Sequence, residues 1–452
     1  MKLFLLLVAV LVVVLVLNTL SAIVRGAELE EKHEYQANEV INKSPEELIQ
    51  LRGFNTETHF VNTKDGYSIH TVRIINPNIE AVKRPVLFNH GFIESSTIWL
   101  IESRLSKPLL EVEDVCSPVS GDKDSTNLPM MLSNRGYDVW LMSFRGTDWS
   151  LQLETRNKSQ PDFWDFSLDD FAQTDVPTVV DFVREYTGFE KIGYIGHSQA
   201  SFSVFGLLSL KPEYADRIEP VVGMAPITFL GKVESTLKAL MIGANARAIN
   251  KKNGPFPKSA EKLRRSLSKI CNKSSLQSIK FVCQIIERTA VGKGKNLKNG
   301  YFAHLPFFSS FKILRHFGQL IKSNQMQMYD YGQEENIVRY NSAKAPRYPI
   351  ENIKSESLVL VNTNSDNLSE PKGVQQFIRT LKVPVFKQIF IREELNHLDM
   401  IVNSKARELI FDPLVEIFES FEHKNGFCAA DSESKSNNSN ADKVHSNEIP
   451  SD

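Results

Sequence analysis

Apolar and polar positions along the chain change rhythm several times, and each change marks a boundary. Lys2 is followed by an unbroken apolar run from Leu3 to Leu17, after which residues 27–53 are polar. One short helical pattern interrupts that polar stretch at Ser44, with Glu47 three residues on in the spacing of a capping box. From Phe54 short β-rich runs take over. Thr58–Asn62 and Tyr67–Ile75, either side of Lys64-Asp65-Gly66, predict a hairpin. Pro85–Asn89, Tyr137–Met142, Ile192–Ile195, Pro220–Ala225, Leu358–Asn362 and Phe386–Ile391 read as buried strands, most of them separated by amphipathic helical stretches. Alternation of this kind predicts an α/β chain, with a mainly parallel sheet covered by helices on both faces.

Residues 231–345 break the alternation. Helical patterns, basic runs (Lys262 to Arg265, Gly292-Lys293-Gly294-Lys295) and the aromatic stretch Phe307 to Phe317 mark an inserted helical lobe. No internal repeat is present. The expected organisation is a leader at 1–26, a lead-in at 27–53, a core at 54–230 resumed at 346–423, the insertion at 231–345, and a polar, disordered tail at 424–452.

Composition narrows the function. Lys and Arg number 53 against 54 Asp and Glu, a formal net charge of −1, so no global field attracts nucleic acid or an anionic surface. With 42% hydrophobic residues the chain can build a large core, which excludes a disordered or fibrous class outside the ends. Lys2, the apolar run and the small residues through Ala22 have the form of a secretory signal peptide, cleaved between Ser21 and Ala27. An uncleaved anchor is the alternative, since Leu20, Ile23 and Val24 prolong the run; after cleavage no transmembrane anchor is expected. Export would make the sequons at Asn42, Asn157 and Asn272 candidate glycosylation sites, while Asn367, beside a candidate catalytic residue, is expected to stay bare. Of Cys116, Cys271, Cys283 and Cys428, no two have metal-ligand spacing, and Cys271 with Cys283 is the best candidate disulfide. A disulfide fits these cysteines better than a metal does.

The candidate chemistry begins at Gly196-His197-Ser198-Gln199-Ala200, between a strand pattern ending at Ile195 and a helical pattern from Gln199 to about Leu210. A serine on a tight strand-to-helix turn is exposed for attack, and its neighbours must be small because both flanks crowd the turn. Ala200 stands where a glycine is usual, and an extra methyl in a crowded turn costs roughly 1–3 kcal/mol if the backbone cannot shift. In isolation the segment also fits a serine that merely caps the helix. Partners are therefore needed. An acid should follow a later strand and a histidine should come after it: Asp366 follows the strand ending at Asn362, and His397 is the histidine that follows the strand ending at Ile391. Asp399, two residues beyond His397, is a rival acid placed too locally to orient that ring. For an oxyanion, Gln199 supplies one backbone N–H, and Phe92, in His90-Gly91-Phe92 after the strand at Asn89, supplies a second. His90 reads as a hydrogen-bonding strut.

These residues resemble the acid lipase family, an α/β-hydrolase fold group that includes gastric and lysosomal acid lipases and their insect relatives. The likeness runs through His90-Gly91-Phe92-Ile93-Glu94-Ser95-Ser96, Gly136 to Leu141, Arg145-Gly146, Trp149-Ser150, Phe163 to Ser167, Gly196 to Gln199, Tyr329-Asp330-Tyr331-Gly332, Asp366 with Pro371, and Asn396-His397-Leu398-Asp399, spread from about 54 to 420. It implies hydrolysis of neutral lipid esters (triacylglycerol or sterol ester) without a cofactor, outside the cell or in the lysosome. It also implies that Ser198, Asp366 and His397 form the triad, with Phe92 and Gln199 at the oxyanion hole and a cap at 231–345 over the site. Ala200, Met142-Ser143-Phe144 and Phe307-Phe308 depart from the family pattern. They leave open an alternative, a lipase-like protein that binds lipid without turnover.

Overall fold

The computed structural model describes residues 43–79, 81, 83–101, 127–151, 158–231, 253–273 and 304–424, with side chains to 267 in the segment 253–273 and to 423 in the last. Its centre is an eight-stranded sheet formed by β1 (Asn55–Asn62), β2 (Ser68–Ile75), β3 (Lys83–Asn89), β4 (Tyr137–Met142), β5 (Ile192–His197), β6 (Ile218–Met224), β9 (Leu358–Thr363) and β10 (Lys387–Ile391). The spatial order is β1-β2-β4-β3-β5-β6-β9-β10. Only the β1–β2 and β2–β4 pairings are antiparallel; from β4 through β3, β5, β6 and β9 to β10 every pairing is parallel. All eight runs anticipated from the sequence are strands; Tyr137–Met142 matches at both ends and no other end differs by more than three residues. The expected hairpin is β1–β2, with Gly66 at φ 87° in its turn.

Strand side chains alternate between two apolar layers. Leu87, Trp140, Tyr194, Val221, Leu358 and Leu360 face one of them, together with α3 (Val176–Thr187) and α4 (Gln199–Leu210). Val86, Phe88, Val139, Leu141, Ile195, Val222, Val359 and Val361 face the other, with α2 (Leu128–Ser133) and α9 (Asp412–Lys424). Because both faces are covered, the parallel strands carry continuous apolar runs. Helix α3 shows why it lies on the sheet: Val176, Val179, Val180 and Val183 are buried at 0, 3, 4 and 7 positions along it, and Gly188 closes it at φ 75°. The anticipated Ser44–Glu47 capping box is present and opens α1 (Pro45–Gln50).

The segment between β6 and β9 contains α5 (Ala260–Lys273), α6 (Phe311–Ser323) and α7 (Gln333–Tyr340). It also holds a two-residue antiparallel ribbon, β7 (Pro255–Phe256) with β8 (Ser309–Ser310), which its helical periodicity did not announce. Helix α8 (Pro371–Thr380) then links β9 to β10. The expected Cys271–Cys283 pair and the sequons at Asn42, Asn157 and Asn272 fall outside the described residues, counting the side chains of 268–273.

One buried ion cluster ties the antiparallel end to the parallel body. Arg145, after β4, donates from Nε to both carboxylate oxygens of Asp175 (2.9 and 3.0 Å) and from Nη1 and Nη2 to Asp65 in the β1–β2 turn (2.6 and 3.1 Å). Its guanidinium lies 3.9 Å from the Tyr67 ring centroid. Removing one member of a buried pair strands the other charge, at a cost of about 3–5 kcal/mol. Arg145→Ala is expected to lower the unfolding free energy by that order in urea titration. Arg145→Lys should restore only part of it, since an ammonium cannot serve both carboxylates as a planar fork does; full recovery with lysine would show that the charge matters and the geometry does not.

Candidate active site

Ser198 occupies the turn between β5 and α4 with φ 58° and ψ −116°. A side chain with a Cβ resists this conformation, so the surroundings must impose it. Three backbone contacts do so: Ser198 N–H donates to Met224 O on β6 (2.9 Å), and Ser198 O accepts from Ser201 N (3.0 Å) and Phe202 N (3.4 Å) in the first turn of α4. Glycine is required at 196, where a Cβ would lie 2.8 Å from the Tyr194 ring and 2.9 Å from the Ala200 carbonyl carbon. Ala200 is fully buried, and its carbonyl accepts from the Tyr194 hydroxyl at 3.1 Å, so the methyl is accommodated within the packing of the turn. The Ser198 side chain makes no capping bond to α4.

Its hydroxyl instead meets His397: Nε2 lies 2.8 Å from Ser198 Oγ, while Nδ1 faces Asp366 at 2.8 Å (Oδ2) and 3.1 Å (Oδ1). A carboxylate at Nδ1 places the ring proton there and leaves Nε2 free to accept from the serine hydroxyl. Burial pushes the Asp366 carboxyl up, but the His397 ring and the Ser369 and Leu368 amides (both 2.8 Å to Oδ1) outweigh it and hold the group below its ordinary value. Asp366 and His397 stand on the loops after β9 and β10, and Asn396 joins those loops: its Oδ1 accepts from His397 N (2.8 Å) and Asn367 N (3.3 Å). Asp399 is turned elsewhere, accepting from Asn396 N at 2.8 Å and from Asn403 Nδ2 at 3.4 Å.

The loop after β3 is tightly constrained. Gly91 O accepts from Gln199 Nε2 (3.0 Å) and faces His90 Nδ1 (2.9 Å), while His90 Nε2 accepts from Phe144 N (3.0 Å). His90 is thus a neutral strut carrying its proton on Nδ1; burial is the chief reason its pKa falls to about 4. Because a trans peptide points its N–H opposite its C=O, pinning Gly91 O fixes the direction of Phe92 N–H. Ile93, next in line, has φ 57° and accepts from Phe307 N (2.8 Å) of the inserted segment. The Phe92 ring stacks on Phe256 (5.8 Å between centroids) and meets Phe317 edge-on (5.3 Å), so the same loop that aims the amide carries the insertion. Phe307 is buried beneath the Arg264 guanidinium (4.2 Å), and Phe308 packs toward Trp164 (6.1 Å).

Known lipases resemble this chain in sequence. Residues 45–103 match the model of the partial alpha/beta-hydrolase lipase region, and residues 84–252 match that of the alpha/beta hydrolase fold. Lipase 1 of Drosophila melanogaster is 26% identical, covering 83% of this chain and 79% of that one. Gastric triacylglycerol lipase of Mus musculus is 28% identical, covering 84% and 92% respectively. Lipase member K of Homo sapiens is 25% identical, covering 86% and 94%. The chain has the α/β-hydrolase fold and is similar over most of its length to these lipases.

It is accordingly a carboxylic ester hydrolase of the lipase type. In this lipase all five positions singled out from the sequence (Ser198, Asp366, His397, Phe92 and Gln199) border one turn. Sequence reasoning missed the pinning of Gly91 O by the Gln199 side chain, the strained Ile93, and the buried carboxylate of Glu94. Only Glu94 left a trace, as a charge in an otherwise apolar and hydroxylic stretch.

The lowered pKa of Asp366 gives a pH dependence with a definite sign. Its stabilising contribution is complete above the unfolded carboxyl value near about 3.9 and is lost as pH falls through the lower folded value. The stability gap between wild type and Asp366→Asn, read from urea midpoints, should therefore hold from neutrality down to about pH 4 and close below it. A gap that closed between pH 7 and 5 would contradict this ionisation.

Proposed function

We propose that this lipase hydrolyses neutral lipid esters of the triacylglycerol or sterol ester class through an acyl-enzyme on Ser198. The observation that carries the reading is the continuous Asp366–His397–Ser198 chain, with 2.8 Å at each link, ending on a serine held at positive φ. His397 Nε2 takes the Ser198 proton as Oγ attacks the ester carbonyl, and Asp366 balances the imidazolium that forms. Charge on the tetrahedral oxygen is met by the Phe92 and Gln199 amides. Collapse breaks the ester C–O bond as His397 returns the proton to the leaving alcohol. Water then repeats the sequence against the acyl-enzyme, releasing the acid and restoring Ser198.

Two features favour a lipid substrate over a small soluble ester. Aromatic rings of the inserted segment pack beside the site, Phe256 and Phe317 on the Phe92 ring and Phe307 near Trp149, and an acyl chain requires apolar surroundings of this kind. The gastric relative from Mus musculus is named for triacylglycerol. The leader at 1–26 supports a secretory route, ending outside the cell or in the lysosomal lumen. No helix among the described residues is long and apolar enough to cross a membrane.

Incubation with a serine-reactive phosphonate should label the wild type stoichiometrically and leave Ser198→Ala unlabelled. Asp366→Asn should lower kcat by roughly 10⁴-fold by favouring the wrong His397 tautomer. Across a series of emulsified and soluble esters, turnover should rise with acyl length and with the presence of an oil–water interface. Absence of labelling on folded protein would overturn the enzyme mechanism, and preference for short soluble esters would overturn the substrate class.

A further inference from the structure

A second histidine–carboxylate pair lies behind the first. Glu94, three residues beyond Gly91, and His197, immediately before Ser198, are both buried, with side-chain exposures of 4% and 0%. Glu94 Oε2 accepts from Gly91 N at 2.6 Å and faces His197 Nδ1 at 3.2 Å, while His197 Nε2 lies 3.0 Å from the backbone carbonyl of His397. The two histidine rings are 4.8 Å apart, centroid to centroid. A carbonyl oxygen can only accept, so His197 Nε2 must carry a proton; an ionised carboxylate likewise calls for a proton on Nδ1. The ring fits its surroundings best as an imidazolium paired with the Glu94 carboxylate.

The charged groups around His197 bear this out. Burial pushes His197 down, but Glu94 opposes it, aided by the His397 carbonyl and by Asp366, and its pKa is raised on balance. Burial pushes Glu94 up, and His197, Gly91 N–H and His90 reverse that. Of the two neighbouring histidines, His90 stays neutral, with its pKa at about 4, and His397, 4.8 Å away, is charged only while it holds the Ser198 proton and then faces Asp366. No space separates the pair from the loop it serves: a Cβ on Gly91 would lie 2.8 Å from Glu94 Oε1, so only glycine lets the backbone reach this carboxylate.

We propose that Glu94 and His197 are positioning residues that lock the oxyanion loop to the His397 loop through a buried carboxylate–imidazolium pair. Glu94 holds the Gly91 amide, whose carbonyl in turn aims Phe92 N–H, and His197 holds the His397 carbonyl, which sets the height of that ring over Ser198. Neither residue touches substrate, and neither exchanges a proton in the reaction. The inference rests on the triad proposed above, since a loop lock has a kinetic consequence only if His397 and Phe92 act.

Glu94→Gln tests it, because the amide keeps the shape and an acceptor for Gly91 N–H while removing the charge. Its kcat should fall by about tenfold or more with KM little changed, as expected when transition-state geometry rather than substrate binding is disturbed. In spectra of wild type carrying ¹⁵N-labelled histidine, the His197 ring should be doubly protonated at neutral pH, and in Glu94→Gln it should hold one proton. A neutral His197 in the wild type, or wild-type kcat in folded Glu94→Gln, would overturn the proposal. Should Glu94→Gln fail to fold, Glu94→Asp, which keeps the charge but withdraws it from both partners, is read by the same kcat and KM measurements. Phosphonate labelling of the wild type separates the two levels: a labelled enzyme indifferent to Glu94 refutes only the lock, whereas an unlabelled one refutes the triad.

Discussion

Everything at this site follows from holding Ser198 in a left-handed backbone conformation that its own Cβ disfavours. The turn cannot supply that constraint by itself, because strain of about 1–3 kcal/mol is relieved by rotation unless the neighbours forbid it. Here Ser198 N–H is anchored to β6, its carbonyl starts α4, and Gly196 lets Tyr194 and Ala200 close on the turn from both sides. Each anchor belongs to a different element. The sheet order therefore matters to the chemistry: β5 lies between β3 and β6, so the serine turn is flanked by the loop carrying Phe92 and by the strand that receives its amide.

The same order accounts for what could be read in advance. Strands β3, β5, β6 and β9 are buried on both faces and announce themselves as unbroken apolar runs, so their C-terminal ends, where Phe92, Ser198 and Asp366 sit, were legible in the chain. His397 is marked by position, as the histidine after the last strand, although β10 is an edge strand and only partly buried. Asp366 and Asp399 are separated by geometry: Asp366 has two amides and an imidazole to satisfy it, whereas Asp399 caps its own local turn.

What stayed hidden are interactions made across loops by groups whose sequence context is ordinary. Nothing in the order of residues says that the Gln199 side chain will reach Gly91 O or that Phe307 N will reach Ile93 O, because both depend on how chain segments far apart in sequence meet. The β7–β8 ribbon is invisible for a related reason: two residues are too few to establish a period of two. Glu94 was the exception in principle. A carboxylate among residues that otherwise bury implies a cation or several donors nearby, and the structure supplies Gly91 N–H and His197.

The inserted segment meets the serine turn through one loop. Phe92 turns its ring toward Phe256 and Phe317, and Ile93, strained at φ 57°, gives its carbonyl to Phe307. A displacement of the aromatic cover would therefore pull on the backbone that aims Phe92 N–H, unless something opposes it from below. Gln199 and His90 do so by gripping Gly91 O, and Glu94 does so by gripping Gly91 N. The peptide groups on both sides of Gly91 are thus held from the core, while the next two residues are held from the insertion. That division lets the aromatic packing around Phe92 vary while the two peptide groups at Gly91 stay fixed from the core.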